Sequence, residues 1–271
     1  MTQFLLTRPL LMIGCGNMAG AMLEGWLAAG ADPRMITVVR PSGRVPAPGI
    51  RTLTSLPEDE APALVLLGVK PQKLAEIVPL LAPSLEPETI LVSILAGTPL
   101  SALRSLFPAP RSIVKAMPNL PVSLGKGIVE LHTDAASESA ARAEVERLAA
   151  VLGHAEWFDD EGLFAAAASL TAAAPAFLYR FVDALAAAGH ELGLPAATSA
   201  RLALAMAEGA AALAARSEHT PEQLARRVAS PGGTTEAGLA VLDAEGLRPL
   251  VLRALEASRR RGAEMARLNR R

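Results

Sequence analysis

An apolar run that ends in a glycine-rich turn constrains the fold of this chain more than any other stretch. The residues Leu10 to Ile13 lead into the hexapeptide Gly14-Cys15-Gly16-Asn17-Met18-Ala19, and an amphipathic segment follows up to Gly25. This order is typical of a buried strand, a tight turn and the start of a helix. A plain tight turn is the alternative, and the strand before and helix after favour a phosphate-binding turn over it.

Each small residue of this turn suits the binding of a diphosphate. Gly14 permits the turn, Gly16 lets the backbone approach a pyrophosphate, and Ala19, where a third glycine is common, lets the helix pack closely on the strand. Asn17 and Met18 open the helix, whose free N–H groups and positive dipole end attract phosphate. We therefore predict that these five residues bind a dinucleotide.

Composition indicates a globular protein with two domains. The chain has 271 residues, of which 51% are hydrophobic and 20% are charged. That is long enough for two cores and too apolar for disorder. The net charge of −1 gives no reason to expect nucleic acid as a partner. The single cysteine excludes an internal disulfide and fits a cytoplasmic location. We expect no signal peptide.

Apolar runs alternate with helical patterns in the first part of the chain, which predicts an α/β fold with a Rossmann-type, parallel, doubly wound sheet. The predicted strands cover residues 10–13, 35–39, 63–69, 89–94, 112–117 and 127–131, and the helices 17–29, 72–81, 99–107 and 137–152. After about residue 158 only helical periodicity is found, at 161–174, 176–192, 195–216, from Thr220, 234–244 and 246–268. We predict a Rossmann NAD(P)-binding domain over 1–158 and an all-helical dimerisation and substrate-binding domain over 159–271.

The apolar segment 163–179 is interpreted as a helix in an oligomer core. It carries no charged residue, as a membrane span would, but it is rich in alanine and contains Pro175. The Ala-rich helices of this second domain expose too much apolar surface for a small bundle on its own. We therefore predict a homodimer through these helices and no membrane association.

Three predicted strands end in residues suited to a cofactor, because ligands of such sheets lie at the carboxyl ends of the strands. The first end carries Val69, Lys70 and Pro71, the second Ala96 and Gly97, and the third Met117 and Asn119. For each the alternative is ordinary local structure: a charge leaving the sheet, a small-residue turn, or an asparagine that caps a turn.

The end of the second strand favours NADPH, with NADH as the alternative cofactor. An NAD-specific site places Asp or Glu there for the ribose 2′-hydroxyl. This chain instead has Arg40, followed by Ser42 and Arg44, which can hold a 2′-phosphate. A solvated arginine in a loop is the alternative.

The loop Ser230-Pro231-Gly232-Gly233-Thr234-Thr235 opens a helix and is a candidate carboxylate site. Backbone N–H groups at its glycines can point inward, and its threonines add hydroxyl groups. Local physics alone favours an ordinary capped helix start. The four histidines lack metal-ligand spacing and no nucleophile motif is present, so we predict no metal site. Hydride transfer suits such a chain, because the cofactor carries the chemistry.

Taken together, these motifs resemble the pyrroline-5-carboxylate reductase family nearly from end to end. The hexapeptide Ser230 to Thr235, followed by Gly238-Leu239, is the family signature and is more specific than the glycine turn. The resemblance implies a Rossmann domain and a helical domain that interlocks with its twin in a homodimer, assembled in some members into a decamer. It also implies NAD(P)H-driven reduction of a cyclic imine, 1-pyrroline-5-carboxylate, to L-proline.

Residue roles follow from the resemblance. Backbone N–H groups of Gly232, Gly233 and Thr234, in the loop that begins at Ser230, would hold the substrate carboxylate, and Thr235 would hydrogen-bond the ring nitrogen as the catalytic residue. The strand-end residues would line the nicotinamide and its ribose: Val69, Lys70, Pro71, Ala96, Gly97, Met117 and Asn119.

Several positions depart from the family pattern. Ala168 replaces the usual Thr, and the usual Ser-Gly-Ser-Gly before Pro175 is Thr171-Ala172-Ala173-Ala174. Ala165 lies where an acid is usual, Glu236 where an apolar residue is common and Lys115 where Arg is common. These changes leave two other functions open: a paralogous imine reductase with a different substrate, or a dinucleotide-binding sensor without turnover.

Overall fold

A computed structural model describes residues 6–57 and 61–268, and within them eight strands form one sheet. The strands are β1 (Leu10–Ile13), β2 (Ile36–Val39), β3 (Arg51–Leu53), β4 (Leu64–Leu67), β5 (Ile90–Ser93), β6 (Ser112–Pro118), β7 (Gly127–His132) and β8 (Gly153–Phe158). Their order in the sheet is β3-β2-β1-β4-β5-β6-β7-β8. The reversal of strand order at β1 and β4 is the arrangement expected of a doubly wound sheet.

The helices of the described residues alternate with these strands and then continue alone. They are α1 (Asn17–Ala28), α2 (Leu74–Leu81), α3 (Leu100–Leu106), α4 (Ser139–Ala150), α5 (Glu161–Thr171), α6 (Ala174–Glu191), α7 (Ala196–Arg216), α8 (Pro221–Val228), α9 (Thr234–Ala244) and α10 (Leu247–Leu268). The start predicted at Thr220 is confirmed, because Thr220 and Gln223 form a capping box ahead of α8.

One pair of strands differs from the predicted all-parallel sheet. β6 and β7 are antiparallel, whereas the other neighbouring strands pair in parallel. The short 3-10 turn Leu120–Leu124 joins β6 to β7, and Gly125 follows it with a φ of +63°. Such a connection is too short for the crossover helix that a parallel pair requires, so the chain reverses direction.

The two faces of the sheet carry separate apolar cores. On one face, Met12 and Leu66 pack with α1 and α4, and the indole Nε1 of Trp26 donates a hydrogen bond to Leu148 O at 2.9 Å. On the other face, Leu67 and Leu91 pack with α2 and α3. Helices on both faces shield the parallel strands β1, β4 and β5 from water.

The described chain divides into two compact units, Ala173–Ala257 and the described residues that precede and follow that range. Helix α5 belongs to the latter unit, where it contacts β7 and β8. The domain division at residues 158 and 159 therefore stays a prediction, and residues 1–5 and 269–271 of its two domains lie outside the described residues.

One stretch of the described residues, 161–191, is long and apolar enough to cross a membrane when judged by length and composition alone. A single stretch of this kind is weak support for a span, because core helices pass the same test.

Candidate active site

The glycine turn after β1 has the geometry of a diphosphate-binding loop. Gly14 adopts a φ of +86°, and a Cβ atom there would lie 3.0 Å from Gly68 O, so only glycine fits without strain. At Gly16, by contrast, nothing lies within 4 Å of the position of a Cβ atom. A ligand can therefore approach the Gly16 backbone directly.

The start of α1 is free to receive an anion. Gly16 is its N-cap residue and provides no side-chain hydrogen bond, and the first turn contains no acidic residue. Asn17 is exposed and Met18 is half-buried. The helix dipole and the first N–H groups thus face the open side of the turn, which fits a nucleotide diphosphate.

Ala19 lets α1 approach the sheet closely. Its side chain is 1% exposed, and a Cβ atom on Gly68, just after β4, would lie 3.0 Å from the Ala19 Cβ. A larger side chain at either position would push the helix away from the strand ends. The predicted packing role of Ala19 is consistent with these contacts.

Arg40 lies directly after β2 and close to the glycine turn. Its backbone N–H donates to Leu53 O at 2.9 Å, while Ser42 Oγ accepts from Arg44 N at 3.4 Å. Burial raises the pKa of the Cys15 thiol, and the positive charge of Arg40 partly opposes that shift. Within the ranges 6–57 and 61–268, no carboxylate pairs with the Arg40 guanidinium, so its charge is available to an anion.

The three predicted strand ends belong to neighbouring strands β4, β5 and β6, whose carboxyl ends share one edge of the sheet. Lys70 and Ala96 are exposed there, and Gly97 has a φ of +71°. Asn119 is buried, and both polar atoms of its side chain have protein partners: Oδ1 accepts from Ile128 N at 2.8 Å and Nδ2 donates to Thr171 O at 3.1 Å. The Asn119 side-chain amide therefore joins the β6–β7 connection to the end of α5.

Sequence reasoning missed an ion pair between β6 and the first turn of α5, in which the Lys115 side chain is mostly buried and that of Glu161 is 39% exposed. Lys115 Nζ on β6 lies 2.5 Å from Glu161 Oε1, which also accepts from Leu100 N at 3.0 Å. Burial raises the pKa of Glu161, but the hydrogen bonds from Lys115 and Leu100, with the charges of Lys115 and His132, more than offset it and lower the pKa overall. A lysine in the middle of the largely apolar strand β6 was the sequence signal for this pair.

A buried acid, Glu130 on β7, was also missed. Its Oε1 is hydrogen-bonded to Thr171 Oγ1, whereas its Oε2 is buried and has no partner among the described residues. Burial raises the pKa of this carboxyl, and the Thr171 bond and its own backbone oppose the shift only in part. A glutamate within the apolar run that forms β7 was a signal that could have identified it.

The loop before α9 forms a turn of backbone amides. Gly232 has a φ of +72°, Gly233 N donates to Ser230 O at 2.8 Å, and Gly233 is the N-cap residue of α9. Thr234 and Thr235 are exposed. The Glu236 carboxylate folds back and accepts from Gly232 N at 2.7 Å, so this loop already holds a carboxylate oxygen.

Two protein-family models match the chain. Residues 161–265 match the model described as pyrroline-5-carboxylate reductase dimerisation, and residues 10–97 match the model described as NADP oxidoreductase coenzyme F420-dependent. The first match supports homodimer formation through the C-terminal helices.

Relatives align along almost the whole chain. A pyrroline-5-carboxylate reductase of Pseudomonas aeruginosa is 37% identical over 96% of this chain and 97% of that protein. The structure of such a reductase from Coxiella burnetii is 29% identical, covers 96% of this chain and 98% of that one, and has a TM-score of 0.84. The Plasmodium falciparum pyrroline carboxylate reductase with NADP bound is 23% identical, covers 97% and 99%, and shares the fold with a TM-score of 0.85.

These alignments cover nearly the whole chain, including the sheet and the glycine turn after β1. The protein belongs to the pyrroline-5-carboxylate reductase family and is an NAD(P)H-dependent oxidoreductase.

Proposed function

We propose that the protein reduces the cyclic imine 1-pyrroline-5-carboxylate to L-proline, with NADPH as its hydride donor and NADH as the alternative. The observation that carries the proposal is the open glycine turn at the start of α1, in a chain 37% identical to a pyrroline-5-carboxylate reductase. An uncapped helix start beside a backbone that a ligand can approach suits a dinucleotide diphosphate.

The cofactor is assigned to the strand ends of the sheet. Gly14, Gly16, Asn17, Met18 and Ala19 form the diphosphate turn and the helix start behind it. Arg40 and Ser42 hold the 2′-phosphate of NADPH, because Arg40 has no carboxylate partner among the described residues and lies near Cys15. The nicotinamide and its ribose are lined by Val69, Lys70, Pro71, Ala96, Gly97, Met117 and Asn119.

The substrate is assigned to the loop before α9. Backbone N–H groups of Gly232, Gly233 and Thr234, together with Ser230, bind the imino-acid carboxylate, and Thr235 donates to or accepts from the ring nitrogen. The Glu236 carboxylate supports this assignment, because it accepts a hydrogen bond from Gly232 N of the same loop. When bound, NADPH supplies a hydride to the imine carbon. Thr235 then orients the nitrogen that takes its proton from solvent.

We further infer that the protein is soluble, works in the cytoplasm, and that its homodimers assemble into a higher oligomer. The pyrroline-5-carboxylate reductase relatives and the single cysteine support a soluble cytoplasmic enzyme. The exposed apolar residues of α6 and α7 offer more surface than one small bundle needs.

Two other functions are distinguished by one assay. The alanines at positions 168 and 172–174 favour a paralogous imine reductase as the second candidate, because lost hydroxyl groups and added methyl groups reshape a pocket. Purified protein incubated with NADPH and 1-pyrroline-5-carboxylate should lose NADPH absorbance and form proline in equal amounts. Tight NADPH binding without proline would contradict the proposal and favour the paralogue or a sensor.

The role of Thr235 is tested by Thr235→Ala. We expect turnover to fall by about 10² to 10³, as when one preorganised hydrogen-bond donor is removed, with little change in NADPH affinity. Thr235→Ser is the matched control, since it keeps the hydroxyl group and should retain most activity. Equal turnover in Thr235→Ala and the unmodified enzyme would remove the assigned role.

A further inference from the structure

Glu130 lies deep within the sheet, beside a residue assigned to the cofactor. Its side chain is 1% exposed, and its Cα pairs with that of Met117 across the antiparallel strands β6 and β7. Residues paired in this way project from the same face of a sheet. The carboxyl group therefore shares a sheet face with Met117, although solvent does not reach it.

The Thr171 hydroxyl group has two acceptor-type neighbours and only one hydrogen to share between them. Thr171 Oγ1 lies 3.1 Å from Ala167 O and also contacts Glu130 Oε1. A hydroxyl group has one hydrogen, while a carbonyl oxygen and an ionised carboxylate only accept. Both contacts are satisfied at once when Glu130 is protonated, so that its O–H group donates to Thr171 and Thr171 donates to Ala167 O.

The second oxygen of Glu130 supports the same protonation state. Oε2 is buried and has no hydrogen-bond partner in the part of the chain that the structure describes. A buried anionic oxygen without a donor is much costlier than the carbonyl oxygen of a neutral acid. The raised pKa of the Glu130 carboxyl has the same cause, its removal from water.

The charged groups of the neighbouring elements do not neutralise Glu130. On β6, Lys115 pairs with Glu161 of α5 at 2.5 Å. On β7, His132 Nδ1 lies 2.8 Å from Phe158 O, and on β8, Glu156, which pairs in register with Glu130, lies 2.8 Å from His154 Nε2. Within residues 6–57 and 61–268, Glu130 thus has the Thr171 hydroxyl as its side-chain partner.

Thr171 connects this acid to the proposed cofactor pocket. Its carbonyl oxygen accepts from Asn119 Nδ2 at 3.1 Å, and Asn119 Oδ1 accepts from Ile128 N at 2.8 Å. Glu130, Thr171 and Asn119 therefore form one network that joins the end of α5 to the β6–β7 connection. Asn119 lies two residues after Met117, and both are assigned to the nicotinamide wall.

We propose that Glu130 is a neutral carboxylic acid that acts as a positioning residue for the cofactor, holding Asn119 in place through Thr171. The proposal rests on the assignment of Met117 and Asn119 to the nicotinamide pocket. Loss of the proton removes the donor to Thr171 and leaves an unpaired anion inside the sheet. The end of α5 then separates from β7, and the wall formed by Asn119 loses its fixed position.

The first test measures NADPH affinity of the full-length protein by fluorescence between neutral and alkaline pH. We expect the affinity of the unmodified protein to fall several-fold as the pH rises. Glu130→Gln should show a flat profile at the neutral-pH affinity, because the amide N–H donates to Thr171 as the acid does and has no proton to lose. The matched control Glu156→Gln, at the exposed position paired with Glu130, should keep the alkaline loss. An equal alkaline loss in Glu130→Gln would overturn the proposal.

The second test needs neither cofactor binding nor turnover. Carbon-13 NMR of protein with labelled glutamate carboxyl groups follows each carboxyl through a pH titration. One glutamate should titrate well above the ordinary range of about 4 to 5, and its signal should be absent from Glu130→Gln. Titration of every glutamate in the ordinary range would overturn the proposal. Absence of proline formation together with the high titration would instead reject the proposed substrate and leave the role of Glu130 intact.

Discussion

Arg40 is the residue expected to distinguish the two nicotinamide cofactors. It follows β2 beside the glycine turn, where an acid would serve the ribose 2′-hydroxyl of NADH. Arg40→Asp should raise KM for NADPH by about 10- to 100-fold, the worth of one or two charge-assisted hydrogen bonds, and leave KM for NADH nearly unchanged. Steady-state kinetics with both cofactors measures this. Lys126→Asp, an exposed charge reversal at a residue with no assigned role, is the control and should leave both KM values unchanged. An equal loss with both cofactors in Arg40→Asp would contradict the 2′-phosphate assignment.

Glu236 places a negative charge at the loop assigned to the substrate carboxylate. Its hydrogen bond to Gly232 N also stabilises the start of α9, as an acid in the first turn usually does. Glu236→Gln keeps an oxygen for Gly232 and removes the charge that repels the substrate. We expect KM for 1-pyrroline-5-carboxylate to fall several-fold with little change in the melting temperature. Asp243→Asn, at the other end of α9, should leave KM unchanged, and the same KM in both variants would argue against the substrate loop.

Among the elements, those with a strong local pattern were predicted closely and those shaped by distant contacts were not. The apolar run of β1 and the helix α9 match their predicted bounds. β3 and β8 were missed, because β3 has three residues and β8 alternates exposed and half-buried positions without a continuous apolar run. The antiparallel direction of β7 depends on the length of the turn before it, which periodicity does not report.

In the candidate site, too, the features formed by neighbouring residues were predicted and those formed by distant residues were not. The glycine turn and the loop before α9 are local and could be recognised from residues adjacent in the sequence. The Glu130–Thr171 and Lys115–Glu161 pairs join residues 41 and 46 positions apart. Only the packing of α5 on β7 and β8 brings them together.

Helix α5 is held to the sheet by the Lys115–Glu161 pair, and its contribution depends on pH. The pKa of Glu161 is lowered in the folded state, so the pair stabilises the fold above the unfolded-state value of about 4.3 and loses its effect as the pH falls through the lower folded value. Lys115→Met should therefore lower the free energy of unfolding at pH 7 by about 1 kcal/mol, since it leaves Glu161 without its cation while solvent, which reaches 39% of the Glu161 side chain, screens part of the charge.

Chemical denaturation of Lys115→Met between neutral and acid pH measures this prediction. The difference from the unmodified protein should shrink as Glu161 becomes protonated. Lys73→Met is the matched control, because its pair with Glu76 is exposed on both sides and should change stability by less than about 0.5 kcal/mol. A difference that stays constant down to pH 3 would show that lost packing of the lysine stem, and not its charge, is responsible.

At the scale of the whole molecule, the exposed apolar surface of the C-terminal helices explains why the protein forms a dimer. The core of buried apolar residues lies almost wholly in the sheet unit, whereas α6, α7, α9 and α10 expose large apolar side chains. Because alanine side chains are small, α6 and α7 pack closely, and Ser199 Oγ of α7 donates a hydrogen bond to Ala186 O of α6 at 2.6 Å. Ser199 and Ala203 of α7 are buried, whereas Leu202, Leu204 and Leu213 of the same helix are exposed. The match to the dimerisation family over 161–265 indicates what covers them, a second copy of the same helices.

Three exposed apolar residues on one side of α7 are expected to lie in the dimer interface. Leu202, Met206 and Leu213 are 56%, 51% and 62% exposed, and their spacing places them on one side of the helix. The double substitution Leu202→Glu and Met206→Glu would bury two unpaired charges in a dimer interface, a cost large enough to dissociate it. Light scattering should then show a monomer with NADPH binding retained, because the sheet unit keeps its own core. The control Lys126→Glu reverses an exposed charge in the sheet unit, and its molecular mass should remain that of a dimer or a multiple of it. If the double variant is still dimeric, the interface lies on another face of the helical unit.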